Sequence, residues 1–408
     1  MTIGNYWPVV MGRRLRPLTA GAAVILIAAC GGGGATATPT AGPGSLACKN
    51  GQILMGVDKA QTGGASFFDI AGANGMQIAI DEVNASGGIH GCKIATISGD
   101  AQTNTAIGGQ VAQDMINKGV QILVVPDDLD LGIAAAQAGH KAGLLTLSAA
   151  ASSTNFGTAV GSNFFNGGIG TDVLGIDAAK FALSKGWKKA YFVENQTLAY
   201  FTEQDAAYKN TSGVTVVGTD VNNSFTASDF GSTVSKISSA KPDVIYNLLT
   251  FPPAGTLVKQ LRAAGIKTPV VGDVTLDTRD VIDLVGKTGV QDVYAVTIAY
   301  WVGAGKDSQT DPGMVKFAQE YQAKFNHFPE QTNAPTAYLF FLAVFKALNQ
   351  SGVVDADTAS KAINAQKDLQ VAGVVLHRWD KGHAIWNGTV IGFSPSGDFT
   401  RVTVYPSE

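Results

Sequence analysis

Charge is scarce in this chain. Only 15% of its 408 residues are Asp, Glu, Lys or Arg, and the formal net charge is −3. The Lys and Arg residues are scattered, so the clustered basic surface that holds nucleic acid is missing and no nucleic-acid partner is expected. Cysteine and histidine are equally sparse, at three and five. The sequence contains no Gly-x-Ser-x-Gly elbow, no HExxH and no CxxC pair, which removes the usual nucleophile–base and metal constellations. No enzyme activity, metal or cofactor is therefore expected. The stretch "NGGIGTDVLG" (166–175) is glycine-rich before a helix, yet it misses both the dinucleotide fingerprint and the Walker pattern. His377 and His383 flank a turn in "HRWDKGH" and read as surface residues; His140 lies in a predicted helix far from a clear partner. There is no short-period repeat of the solenoid kind.

What is present is apolar material, 45% of the chain, over a length that suits two domains. At the N-terminus, Arg13, Arg14 and Arg16 precede "LTAGAAVILIAAC", an apolar run too short for a comfortable membrane span. A basic start, a short apolar stretch and small residues before a cut describe a secretory signal. Cys30 directly after "IAA" is similar to a bacterial lipobox, whose thiol is diacylated and becomes the mature N-terminus. Residues 1–30 are thus expected to be a lipoprotein signal peptide, starting at Met1 or Met11, and the Gly/Thr/Pro-rich 31–47 a flexible tether. With Cys30 lipidated, Cys48 and Cys92 are left to pair. They stand beside the first two predicted strands, where a disulfide's distance limits can be met, and an exported protein keeps such a bond.

From Gln52 onward short apolar strands alternate with amphipathic helices. "QILMGVD", "CKIATISGD", "VQILVVP" and "GLLTLSA" form one set of strands; "KKAYFVEN", "VTVVGTD", "PDVIYNLL", "TPVVGD" and "VYAVTIAY" form a second. Two consecutive helices ("PGMVKFAQEYQAKFN" and "APTAYLFFLAVFKALNQ") and a β-rich tail follow. Continuous hydrophobicity in the strands argues for parallel sheets covered on both faces, hence an α/β fold of two Rossmann-like lobes. Ligands in open α/β sheets sit beyond the carboxyl ends of the strands, and two facing lobes enclose a cleft there.

The stretch "GVDKAQTGGASFFDIAGANGMQIAIDEVNASGGIHGCKI", followed by "GLLTLSAAASSTNF" and "KPDVIYNLLTFPPAGTLVKQLRAAGIKTPVVGD", resembles the type I periplasmic binding-protein family, in its leucine/isoleucine/valine-binding (branched-chain amino-acid ABC receptor) group. The resemblance runs from about Gln52 to Tyr405. It implies a three-strand hinge, with an N-terminal lobe of 48–165 plus 298–371 and a C-terminal lobe of 166–297 plus 372–408. It also implies a lipid-anchored, extracytoplasmic and monomeric receptor that closes on a small molecule and is read by an ABC permease; a sensory module of the same fold is the alternative. The family's ligand-handling positions fall on Gln61, Thr62, Leu129, Asp130, Ala150 and Ser152, and in the second lobe near Tyr200, Phe251 and Asp273.

Where the resemblance implies a Ser-rich grip on a ligand carboxylate, this chain has "PDDLDLG" (126–132). A carboxylate ligand would meet like charge there, at on the order of a few kcal/mol in a partly dry cleft. Asp130 occupies a helix N-cap position, Asp127 and Asp128 read as solvated, and the functional alternative has one Asp, Asp128 or Asp130, facing the cleft. An EF-hand spacing is absent, so calcium is not expected. Aromatics crowd the same loops, with Phe67 and Trp301 as candidates to sandwich a ligand. Aromatic faces with acidic and amide acceptors fit a sugar-like, polyol, aromatic or cationic ligand better than a small anion.

Overall fold

The computed structural model describes residues 44–298, 311–329 and 331–406. The first lobe opens with β1 (Gln52–Lys59), α1 (Ser66–Ala85), β2 (Lys93–Asp100), α2 (Thr105–Asn117), β3 (Ile122–Val124), α3 (Leu129–Lys141), β4 (Leu145–Ser148), α4 (Phe156–Val160) and β5 (Phe164–Asn166). The second lobe holds α5 (Thr171–Ser184), β6 (Lys189–Glu194), α6 (Ala199–Lys209), β7 (Thr215–Val221), α7 (Gly231–Ala240) and β8 (Val244–Leu248). It continues through α8 (Pro253–Ala263), β9 (Val270–Gly272), α9 (Arg279–Val285) and β10 (Val293–Thr297). The chain then returns to the first lobe with α10 (Pro312–Phe325), α11 (Asn333–Leu348), α12 (Ala356–Asn364), β11 (Leu369–Val371), β12 (Val374–Asp380) and β13 (His383–Trp386), and ends in β14 (Gly388–Phe393) and β15 (Phe399–Tyr405).

Two sheets result. The first runs β11-β12-β13-β5-β4-β3-β1-β2 and the second β15-β14-β10-β9-β8-β6-β7. Every pairing from β2 through β5, and from β7 through β10, is parallel. β3, β4 and β8 are buried at every position, as strands covered by helices on both faces must be. The chain passes between sheets after β5, after β10 and at Asn387. The third crossing differs from expectation: β12 and β13 pair within the first sheet, β13 lying parallel to β5 at His383↔Asn166. Residues 374–386 therefore belong to the first lobe.

α1 lies along α11, whose residues are almost all buried. The two approach closely at Gly75, where a Cβ would stand 1.9 Å from the Ala334 carbonyl oxygen. After α1 the chain reverses through Gly87, Gly88 and Gly91, at φ of 110°, 83° and 82°, which explains the glycines of "GGIHG". That turn delivers Cys92 to Cys48, and the two form a disulfide with Cα atoms 5.8 Å apart. Among the described residues no helix is long and apolar enough to cross a membrane.

Candidate functional site

Because β1, β3 and β4 are parallel neighbours, their carboxyl ends converge, and a buried charged knot ties them together. Lys59 ends β1 with its Nζ 2.6 Å from Asp127 Oδ1 and 3.7 Å from Asp69 Oδ1. Asp69 accepts from the backbone N–H groups of Ala60 (2.6 Å) and Asp127 (2.8 Å). Asp127 in turn accepts from Ala150 N–H at 2.9 Å and the Ser148 hydroxyl at 3.3 Å. Its side chain is wholly buried, so the solvated reading of Asp127 is corrected: one lysine draws both carboxylates inward. Burial, partly offset by Lys59 and reinforced by Asp127, lifts the Asp69 carboxyl to about 7.

The next two acids part ways. Asp128, not Asp130, is the N-cap of α3, and its Oδ1 accepts from Asp130 N–H (2.8 Å) and Leu131 N–H (3.2 Å). It is 6% exposed, so it too is buried where solvation was expected. Burial first, then the nearby Asp130, pushes it up to about 7. Asp130 is exposed and reaches across the cleft, its Oδ2 accepting from Ala199 N–H at 2.7 Å. Ala199 opens α6, whose own N-cap, Leu198, has no side-chain acceptor. Asp130 thus caps a helix of the opposite lobe. One turn on, Glu203 accepts from Ser153 (2.9 Å) and Asn155 (2.7 Å) of the first lobe, and from Thr171 (2.6 Å).

Behind this seam the lobes share a partly open pocket. From the first lobe come Phe67, Phe68, Asp128, Ala150 and Ser152; from the second come Leu198, Tyr200, Phe201, Thr250 and Thr275. Ile169 and Ile298, beside two crossings, and Thr332, Asn333 and Thr336, at the start of α11, also line it, as does Asp127. The aromatics stand in edge-to-face pairs, Phe67–Phe68 with centroids 5.3 Å apart and Tyr200–Phe201 at 5.0 Å. Among the described residues no Lys, Arg or His lines the cavity.

Of the residues expected at the site, Phe67, Asp128, Ala150, Ser152 and Tyr200 therefore meet around one space. Gln61 and Thr62 do not: they are exposed and bind the end of β2, Thr62 Oγ1 donating to Asp100 Oδ2 at 2.8 Å. Leu129 packs into its own lobe and Phe251 into the second. Asp273 lies behind the wall, accepting from Thr275 N–H and hydroxyl (2.9 and 2.8 Å) and from Gln204 (3.1 Å). Burial raises its pKa. Trp301 and Cys30 fall outside the described residues. The α11 contribution goes beyond the expected set; its sign in the sequence is a polar "QTN" opening an otherwise apolar helix. His383 is buried, not at the surface; Asn166 donates to its Nδ1 at 2.7 Å, and burial pushes the ring down to about 4. His140 does find a partner, Asn163. Among the described residues no group of His, Cys, Asp and Glu is placed to hold a metal.

A family model described as periplasmic binding protein matches residues 52–391. The chain belongs to the periplasmic binding protein family. Its relatives are Leu/Ile/Val-binding proteins, and it shares the two-lobe type I fold of solved branched-chain amino-acid binding proteins. The Leu/Ile/Val-binding protein homolog 8 of Brucella abortus (strain 2308) is 25% identical over 352 residues, covering 82% of this chain and 85% of that protein. Among solved structures, the branched-chain amino-acid binding protein LivJ from Streptococcus pneumoniae, in complex with isoleucine, superposes with a TM-score of 0.75 at 19% identity, over 87% of this chain and 99% of its own. A solute-binding protein from R. palustris in complex with benzoate gives 0.74 at 16% identity, over 86% and 96%. The named relatives are substrate-binding proteins.

Proposed function

We propose that this binding protein is the receptor of an ABC importer, tethered outside the cell membrane through lipid on Cys30, and that it encloses one small molecule with a flat or apolar body between its lobes. The observation that carries the reading is the shared pocket: aromatic pairs from both lobes face one space, and Asp130 and Glu203 hydrogen-bond across the cleft. Three connections between the lobes are a suitable hinge for opening and closing. The solved relatives named above hold isoleucine in one case and benzoate in another; in this chain the four aromatic rings favour a flat body over a branched aliphatic one.

The test is a thermal-shift screen over amino acids, sugars, polyols, amides and aromatic compounds, since a ligand bound only by the native state raises its melting temperature by mass action. Small-angle scattering on each hit then reads closure. A hit is expected to compact the protein, with weak or no response to leucine, isoleucine and valine. A strong, saturable shift with any of those three would overturn the reading of the acidic loop. Binding without compaction would overturn hinge closure. In cells, Cys30→Ser is expected to move the protein from the membrane fraction to the soluble one; unchanged fractionation would remove the lipid anchor.

A further inference from the structure

The cavity wall fixes the sign of the group it receives. Most of its polar members can either donate or accept: Ser152, Thr250 and Asn333 are 7%, 4% and 7% exposed, and the Thr250 hydroxyl has no partner. None of these selects charge. Asp128 does. One of its oxygens is spent on capping α3, while the other makes no hydrogen bond within the described chain, although the residue lines the cavity and is only 6% exposed. That oxygen keeps some access to the cavity's solvent, and in so dry a wall a ligand that brings a donor satisfies it better than stray water does. The described surroundings offer no substitute. Lys59, the cation on β1, is engaged by Asp127 and Asp69, and the other charges near Asp128 are acidic: Asp130 on its own helix and Asp69 on α1.

Building on the receptor reading above, we infer that Asp128 is the head-group residue of the site and that the ligand is a small aromatic or apolar molecule carrying a hydrogen-bond donor, best a cationic nitrogen such as an amine or amidine. A carboxylate head brought to the same oxygen would meet an unpaired acceptor and add a like charge to an acid-rich wall without a cation among its described lining residues. The aromatic pairs suit the same class, since ring faces attract cations as well as flat apolar bodies.

Benzamidine, benzamide and benzoate share a ring and a planar head of one shape, and differ in head charge. Titration calorimetry of the full-length protein with these three probes, at about pH 8 so that Asp128 is mostly ionised, separates charge from fit. The expected order is benzamidine over benzamide by tenfold or more, with benzoate weakest. Asp128→Asn keeps a side chain that caps helices well. It should cost benzamidine at least tenfold and benzamide less than threefold, with no fall in melting temperature. Benzoate binding as tightly as benzamidine, or the same order of affinities in Asp128→Asn, would overturn the assignment while leaving a flat-ligand receptor standing. Silence towards all three by the folded protein would overturn the flat-ligand reading and the assignment with it.

Discussion

Asp127, Asp128 and Asp130 lie within four positions and answer to three different partners: a buried lysine, the helix they precede, and a helix of the other lobe. The arrangement follows from backbone direction. A strand end alternates its side chains between the two sheet faces, and the first turn of a helix rotates them by about 100° per residue. Consecutive acids are therefore flung apart. The Asp130 contact forms only when the lobes are together, so it should act on affinity and not on the stability of either lobe. One charge-assisted hydrogen bond is worth about 1–3 kcal/mol, and its exposure places it at the low end. Asp130→Ala is expected to weaken binding of a screened ligand about fivefold, as ~1 kcal/mol implies, with little change in melting temperature without ligand. Glu203→Ala, which releases two first-lobe donors, should cost at least as much. A lowered melting temperature with unchanged affinity would make Asp130 a stabilising contact and nothing more. The sequence marks this loop as unusual. Which acid caps, which is buried and which crosses the cleft depends on where Lys59 and Ala199 stand. Lys59 ends a different strand and Ala199 lies 69 positions from Asp130, so neither placement is written in the loop itself.

At the scale of elements, legibility tracks periodicity. The strands of the two parallel sheets are continuous apolar runs bounded by turn residues, and α1 shows its apolar spacing openly, so these elements can be read from residue pattern alone. The tail cannot: β12 pairs with β13 and β14 with β15 as antiparallel hairpins, and nothing local tells which sheet each hairpin joins. For that reason the third crossing, expected before β12, lies after β13. The close contact of α1 with α11 is likewise silent in sequence except for Gly75, a helix-interior glycine that costs about 1 kcal/mol relative to alanine in an isolated helix. Here the preference reverses. Gly75→Ala would drive a methyl against the Ala334 carbonyl, and overpacking of this kind costs about 1–3 kcal/mol. The expected outcome is a lower urea midpoint at unchanged slope. Because Ala334 follows Asn333 on the cavity wall, ligand affinity should fall as well. A stabilised Gly75→Ala protein would show that the helices can part without cost.

The molecule as a whole carries an unusual balance of buried acids. Burial first of all lifts Asp58 and Asp277 to about 8, and Asp69 and Asp128 to about 7, against about 3.9 in an unfolded chain. A carboxyl raised on folding binds its proton more tightly in the native state. Its stabilising contribution is complete below about pH 4 and is lost as pH climbs through the folded value. His383 works the other way: held at about 4 by burial, it favours unfolding as pH falls from its ordinary 6.5 towards 4. Four acids outweigh one histidine, even when the coupling between Asp69 and its neighbours makes their effects less than additive. The melting temperature is therefore expected to be higher at pH 5 than at pH 8, in calorimetry without ligand. Asp58 is the cleanest contributor, because both of its oxygens are buried without a hydrogen-bond partner and it stands outside the lining of the ligand cavity. Asp58→Asn removes its titration at nearly constant volume, so the variant should gain stability at pH 8 relative to wild type and flatten the decline. An equal or higher melting temperature at pH 8, or a variant that parallels wild type at both pH values, would mean that these acids stay ionised in the native protein. Ligand binding by a cation would then draw on an Asp128 charge that is always present, and its affinity would stop rising with pH; a receptor with the raised values instead grips a cation more tightly as pH rises through about 7, where Asp128 gives up its proton.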